Sequence, residues 1–246
     1  EAVGKNVKLY KVGDEVFGDL SGSGWGGFAE YVTAPEYALA LKPTNISFEE
    51  AAATPMAGVT ALQGLRDKGE IKSGHKVLIY GASGGVGTFA VQIAKSFGAE
   101  VTGVCSTRNV EILRSIGADH IIDYTEEHLA QHKERYDLVL GVNGSNSISA
   151  YKRVLKLNGK FVHVGGSESQ LYQTLFLGPF ISLTRSRKIS SLLQRANQKD
   201  LNDVKELLEI GKVKPIIDKR FKLSEITEAF KYFQEGHAQG KVVITL

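Results

Sequence analysis

The chain has 246 residues, 42% of them hydrophobic, and a formal net charge of +3 at pH 7. This length predicts one large or two modest globular domains, and the small charge favours neither a nucleic acid nor a membrane surface as a partner. The single cysteine, Cys105, excludes an internal disulfide and a cysteine-based zinc cluster within this chain and is typical of a cytoplasmic or organelle-matrix protein. No apolar run approaches the length of a membrane span, so we expect no stable membrane insertion.

The N-terminal part of the chain predicts short β-strands. Residues 11–18 and 28–34 alternate apolar and polar side chains, as a strand with one buried face does. Pro35 ends the second of these strands, and residues 38–43 predict another one. The segment 19–27 is rich in glycine and serine and predicts a turn.

A helical pattern begins at Ser47. Ser47 and Glu50 have the spacing of a capping box, in which each side chain accepts a hydrogen bond from the other residue's backbone amide. The alanine-rich run 51–53 follows, and residues 54–65 are predicted to continue as helix.

Strands and helices then alternate along the middle of the chain. Alternation at this spacing predicts an α/β fold with a parallel sheet and right-handed crossovers. The predicted strands are 77–80, 101–105, 121–123, 137–142 and 161–164, with helices at 86–97, 108–116, 125–132 and 146–156 and one further strand at 188–194.

The last elements have no place in a simple six-stranded sheet. They are a helix at 198–210, a strand at 214–221, a helix at 224–235 and a strand at 241–246. We therefore expect the chain to return to the first, β-rich domain. The predicted domain bounds are 1–56, 57–194 and 195–246.

The stretch 76–87 predicts a strand, a tight glycine turn and the start of a helix. This order places backbone amides and the positive end of a helix dipole at one point, where a phosphate binds. Gly84 would let the backbone approach a pyrophosphate, and Gly87 would let the helix pack closely on its strand. Ala82 occupies the first glycine position of the dinucleotide-binding fingerprint, so the motif is A-x-G-x-x-G.

We therefore predict that the residues of this turn contact the phosphates of a dinucleotide. The alternative is that the turn is a glycine-rich loop that binds no ligand. The predicted cofactor-binding residues of the turn are Ala82, Ser83, Gly84, Gly85 and Val86.

The end of the second strand of the alternating region predicts NADPH rather than NADH. An acidic residue usually holds the ribose 2′-hydroxyl of NAD at this place, but the chain has Ser106, Thr107 and Arg108 there. A hydroxyl and a guanidinium bind a 2′-phosphate, which a carboxylate would repel. The alternative for Arg108 is a solvated side chain, and Tyr124 is predicted either to contact the same phosphate or only to pack.

Together these stretches resemble the medium-chain dehydrogenase/reductase superfamily, in its zinc-free, zeta-crystallin-like quinone oxidoreductase branch. The resemblance covers nearly the whole chain. It is carried by KVGDEVFG (11–18), GGFAEYVTAP (26–35), AAATPMAGVTALQGL (51–65), VLIYGASGGVGTFAVQIAK (77–95), VTGVCSTRNVEILRSIGADHIIDY (101–124), NGKFVHVGG (158–166) and GHAQGKVVITL (236–246).

The resemblance implies a Rossmann-type parallel-sheet domain beside a GroES-like β domain that starts incompletely at Glu1. It also implies NADPH-dependent reduction of a quinone or an α,β-unsaturated carbonyl compound, and a homodimer that could pair through residues 188–194. By resemblance, Thr60 and two loops flank the nicotinamide. These loops contain Asn143 and Gly144, and Gly165 and Gly166.

Zinc catalysis is not expected. Where zinc alcohol dehydrogenases have a cysteine ligand this chain has Met56, and a thioether is a poor zinc ligand. The six histidines are scattered without metal-ligand spacing. We name no catalytic acid, and the proton is expected from water or from a residue outside this chain.

One functional alternative to this enzyme stays open. The chain could be an NADPH-binding interaction or redox-sensing protein without turnover.

Residues 171–188 are apolar and then basic, which indicates either a lid or membrane contact or, as we favour, a buried helix with a solvated end.

Overall fold

The computed structural model describes residues 1–144, 146–166 and 187–246, together with Tyr172 and Thr174. The chain forms two compact units. One contains Glu1–Val59 and Arg195–Leu246, and the other contains Thr60–Gln194. Within the described part, every helix is too short or too polar to cross a bilayer.

The strands and helices are numbered in chain order. The strands are β1 Val16–Gly18, β2 Leu39–Leu41, β3 Lys76–Tyr80, β4 Glu100–Cys105, β5 His120–Asp123, β6 Tyr136–Gly141, β7 Leu155–His163, β8 Lys188–Ser191, β9 Ile217–Lys222 and β10 Lys241–Thr245. The α-helices are α1 Phe48–Ala53, α2 Pro55–Gln63, α3 Gly85–Ser96, α4 Val110–Ser115, α5 Ile148–Val154, α6 Gln198–Glu209 and α7 Ile226–Gln234.

The second unit is built on a six-stranded parallel sheet in the order β5-β4-β3-β6-β7-β8. This confirms the α/β, Rossmann-type fold. The strand order reverses between β3 and β6, since successive strands lie on opposite sides of β3. In open parallel sheets the carboxyl ends of the strands at such a reversal form the ligand-binding crevice.

The sheet is buried on both faces, which explains its apolar strands. Val77, Leu78 and Ile79 of β3 are all inaccessible to solvent. On one face, Tyr151 of α5 stacks on Phe161 of β7 with ring centroids 4.5 Å apart. A packed scaffold of this kind holds the loops at its edge in fixed positions.

The first unit joins the two ends of the chain. Strands β1 and β2 pair antiparallel, and β9 and β10 pair parallel. The Gln198 side chain at the start of α6 donates hydrogen bonds to the Tyr10 hydroxyl, at 2.9 Å, and to the Leu39 carbonyl, at 2.8 Å. Residues 195–246 therefore pack in one unit with the N-terminal segment.

The capping box predicted before α1 is confirmed. The Glu50 amide donates to Ser47 Oγ at 3.2 Å, and the Ser47 amide donates to a Glu50 carboxylate oxygen at 2.9 Å. These bonds satisfy amides that a helix start leaves without partners.

The strand predicted at 28–34 is wrong. Among the described residues no strand pairs with this segment, so its alternating pattern has no neighbour to bury it. Phe28 instead packs edge-on against Phe230 of α7, with ring centroids 5.6 Å apart, and Tyr31 is 72% exposed. Alternation alone does not form a strand without a second strand to take its backbone hydrogen bonds.

The helix predicted at 125–132 is also wrong, because the segment contains only a 3-10 turn at Leu129–Gln131. The Asp123 carboxylate accepts hydrogen bonds from the amide and the hydroxyl of Thr125, at 2.9 and 2.6 Å. A side chain that bonds the backbone two residues on favours a turn over a helix.

Other predicted bounds differ by a few residues. The helix predicted at 146–156 ends at Val154, and β7 begins at Leu155 rather than at Phe161. The first strand is confined to Val16–Gly18, and β9 begins only at Ile217.

Phe161→Ala should destabilise the second unit by about 3–5 kcal/mol, because it removes a fully buried ring and leaves a cavity beside Tyr151. Urea unfolding followed by circular dichroism measures this change. Leu157→Ala is the control, since Leu157 lies on the same strand but is exposed. Equal effects of the two substitutions would contradict the described packing.

Candidate functional site

Two glycines of the turn after β3 are required by the fold. Gly81 has a φ of 80°, and a Cβ there would lie 2.8 Å from the carbonyl oxygen of Asn143. A Cβ on Gly87 would collide with the carbonyl oxygen of Gly81. The helix α3 can therefore start directly at the end of β3 only if position 87 has no side chain.

Gly84 is different, because the fold leaves room for a side chain there. Its φ of −82° and ψ of 178° suit any residue. The atom nearest to an added Cβ would be the carbonyl oxygen of Gly81, at 3.6 Å. The missing side chain instead leaves the backbone open to whatever approaches the turn.

The same turn presents backbone donors at the positive end of α3. Gly84 is the N-cap and provides no side-chain hydrogen bond. The amides of Gly85, Val86 and Gly87 lie in the first turn of α3, where the helix itself offers no carbonyl acceptor to its N–H groups. Such a helix start attracts an anion, and the phosphate groups of a dinucleotide are anions of this kind.

The remaining turn residues support this geometry. Ala82 is fully buried, and its amide donates to the carbonyl of Val104 at 3.1 Å, which ties the turn to β4. A methyl group is thus accepted at the first position of the fingerprint. Ser83 is half-buried at the surface of the turn.

The loops after β6 and β7 lie at the same edge of the sheet. The amides of Val142 and Asn143 donate to the carbonyl of Tyr80, at 3.0 and 3.4 Å. A Cβ on Gly144 would approach the ring of Tyr80 to 2.6 Å, and one on Gly165 would lie 2.6 Å from the carbonyl oxygen of Val142. Gly144 thus lets the loop after β6 lie close to β3, and Gly165 lets the loop after β7 lie close to the loop after β6.

A second cluster lies at the ends of β4 and β5. Ser106 is half-buried directly after β4, and Arg108 is exposed in the 3-10 turn Thr107–Asn109. Tyr124 is 50% exposed, and its amide donates to the carbonyl of Cys105 at 2.9 Å. The topology therefore brings the residues predicted for the 2′-phosphate to one edge.

Sequence reasoning missed Asp123 at this edge. It ends β5 opposite Cys105 in the sheet register. Hydrogen bonds from Thr107 and Thr125 hold the pKa of the Asp123 carboxyl below its usual range. The carboxylate is thus ionised at pH 7 and already bound by two threonines.

Sequence reasoning also missed Asn109, whose side chain bonds Ser83 and Ser106. An asparagine before a helix predicts an N-cap, so the pattern gave no signal of a bridge between two strands. This bridge forms only when the sheet brings the ends of β3 and β4 together.

Other residues of the predicted site lie on different elements. Thr60 is in α2 and only 8% exposed, and Gly166 is exposed with a φ of 135°. His163 at the end of β7 is buried, and burial lowers the pKa of its imidazole. Most of the predicted lid segment 171–188 lies outside the described residues.

A family model described as zinc-binding dehydrogenase matches residues 116–244. The chain is 35% identical to a chloroplast envelope quinone oxidoreductase homolog from Arabidopsis thaliana, over 98% of this chain and 75% of the relative. It is also 35% identical to the chloroplastic NADPH-dependent alkenal/one oxidoreductase of the same plant, over 98% of this chain and 60% of that protein.

The solved structure of the quinone oxidoreductase from Coxiella burnetii has the same fold. It matches with a TM-score of 0.87 and 32% identity, over 99% of this chain and 75% of that one. The chain thus spans between 60% and 75% of the length of these relatives.

The described residues do not fit a zinc ion, although the family description names one. Within residues 1–144, 146–166 and 187–246, no three His, Cys, Asp or Glu side chains are grouped to hold a metal. Cys105 is buried, and its burial raises the pKa of the thiol to about 11, which disfavours the thiolate that zinc requires.

The variants Gly84→Ala and Gly87→Ala separate binding from folding. Gly84→Ala should leave the melting temperature within about 2 °C of the wild type, because the fold has room for the methyl group. It should weaken the binding of NADPH by about 10- to 100-fold, because the methyl group occupies the space above the amides. Gly87→Ala should instead lower the melting temperature, since its Cβ collides with Gly81.

NADPH fluorescence titration and thermal unfolding measure the two effects. Unchanged NADPH affinity in Gly84→Ala would show that the turn does not hold the cofactor.

Proposed function

Because the chain belongs to the zinc-binding dehydrogenase family, in the quinone oxidoreductase branch of the medium-chain dehydrogenase/reductase superfamily, we propose that it is an NADPH-dependent oxidoreductase. Its substrate is a quinone or an α,β-unsaturated carbonyl compound, and the reaction uses no zinc. The observation that carries this proposal is the open glycine turn at the strand reversal, with three backbone amides at the start of α3.

The substrate class rests on relatives. One is named a quinone oxidoreductase homolog and another an NADPH-dependent alkenal/one oxidoreductase. Quinones and enones both accept a hydride at an electron-poor carbon–oxygen or carbon–carbon system. One cleft can therefore serve both if it positions a flat, conjugated substrate.

The preference for NADPH rests on charges at the ends of β4 and β5. Neither Asp nor Glu follows β4, where Ser106 and Arg108 can bind a 2′-phosphate. Asp123 is the nearby carboxylate, but Thr107 and Thr125 already bond it. A phosphate is thus favoured over a ribose hydroxyl at this place.

We propose that the chain positions the cofactor and the substrate and provides no acid–base catalyst. Bound NADPH supplies the hydride. The amides of Gly85 and Val86 hold the diphosphate, and Ser106 and Arg108 hold the 2′-phosphate with Tyr124 beside them. Thr60 and the loops with Asn143, Gly144, Gly165 and Gly166 flank the nicotinamide. Fixing two reactants in a reactive arrangement supplies a large part of such a rate.

The protein is further proposed to act as a homodimer. Strand β8 is an end strand in the order of the described six-stranded sheet, and an end strand is where a second copy can add a strand of its own. A monomeric mass in analytical ultracentrifugation would contradict this.

We place the protein in the cytoplasm or an organelle matrix, and the chloroplastic relatives support the second compartment.

The experiment that tests the function measures NADPH absorbance with a panel of quinones, enals and enones. Consumption of NADPH with at least one substrate class is expected, and a metal chelator should leave the rate unchanged. NADPH binding without turnover across the panel would contradict catalysis. That outcome would favour an NADPH-binding interaction or redox-sensing protein.

Arg108→Ala should weaken the binding of NADPH by about 10-fold and the binding of NADH by less than about 3-fold, because the guanidinium bonds a phosphate that NADH lacks. Titration of both cofactors measures the difference. Arg114→Ala is the matched control, since Arg114 is exposed on the neighbouring α4 and pairs with Glu111 at 2.6 Å. Equal losses of both cofactors in Arg108→Ala would remove Arg108 from the site.

A further inference from the structure

Asn109 precedes α4 but does not cap it. It is the N-cap residue by position, yet its side chain forms no capping hydrogen bond. Asparagine is among the preferred N-caps, and a helix start without a cap is less stable. The side chain is only 7% exposed. A buried amide that leaves its usual partner is expected to serve another contact.

That contact joins two serines from different strand ends. Asn109 Nδ2 donates to Ser83 Oγ at 2.9 Å and to Ser106 Oγ at 3.2 Å. Ser83 lies in the glycine turn after β3, and Ser106 follows β4. The backbone amide of Asn109 also donates to the carbonyl of Ser106 at 2.9 Å, which fixes the spacing.

The direction of these bonds determines how the serines face outward. An amide nitrogen has two hydrogens and only donates, so both serine oxygens accept from Asn109. Each hydroxyl hydrogen is then left to point elsewhere. No residue that the structure describes accepts a hydrogen bond from Ser83 or Ser106. Both serines are half-buried and reach the surface.

A phosphate accepts hydrogen bonds but has no hydrogen to donate when it is a dianion, whereas a ribose hydroxyl does both. Two outward O–H donors beside Arg108 therefore favour the phosphate. We propose that Asn109 is a positioning residue that turns the hydroxyl hydrogens of Ser83 and Ser106 toward the 2′-phosphate and so contributes to selectivity for NADPH over NADH. This rests on the proposed use of NADPH.

The other amide atom supports a role beyond packing. Asn109 Oδ1 is buried and has no hydrogen-bond partner among the described residues. An unpaired buried acceptor costs free energy, and the missing cap adds to that cost.

The test compares NADPH and NADH binding, by calorimetry, in the wild type and in Asn109→Ala. The variant should bind NADPH about 10-fold more weakly and NADH within about 3-fold of the wild type, because only the phosphate needs the oriented donors. Asn109→Ser keeps one donor and should restore part of the NADPH affinity. If the Asn109→Ala variant does not fold, the same comparison of NADPH and NADH binding is made with Asn109→Ser.

A mutant cycle asks whether Asn109 acts through the serines. In a Ser83→Ala and Ser106→Ala background, adding Asn109→Ala should cause no further loss of NADPH affinity. Ser115→Ala is the matched control, because Ser115 is exposed on α4, and it should change the affinity for neither NADPH nor NADH.

Equal losses of NADPH and NADH in Asn109→Ala, or a full additional loss in the serine-free background, would overturn the inference. A wild-type chain that binds NADPH no better than NADH would instead overturn the proposed cofactor preference, so the two failures are distinguishable.

Discussion

The close approach of α3 to β3 is the constraint on which the site depends. Gly87 touches the backbone of Gly81 so closely that any side chain there would collide. This contact starts the helix at the end of the strand and points its first amides at the sheet edge. If the helix began farther away, the amides would not face the strand reversal where a dinucleotide binds.

The buried sheet converts that local contact into a site. Because β3 to β8 are parallel, the turn after β3, the loops after β6 and β7 and the serine after β4 all lie at one edge. Burial on both faces fixes their spacing. The polar groups of this edge thus come from distant parts of the chain, and we propose that they act on one ligand.

Glycines have separate roles at this edge, and their surroundings tell them apart. Positions 81, 87, 144 and 165 lack the space for a side chain, so the fold itself requires glycine there. Position 84 has the space, so packing does not require its glycine, and we propose that a bound ligand does. A fingerprint in sequence does not distinguish these two reasons.

The sequence by itself determined the parallel α/β domain, the capping box at Ser47 and the candidate turn, because each depends on short-range periodicity or on steric rules of a few residues. The cofactor-contact residues proposed from it stay predictions. Only the tertiary structure decided that 28–34 is not a strand, because a strand needs a partner. It alone joined Asn109 to Ser83 and Ser106, since hydrogen bonds across strand ends depend on how the sheet folds rather than on sequence spacing.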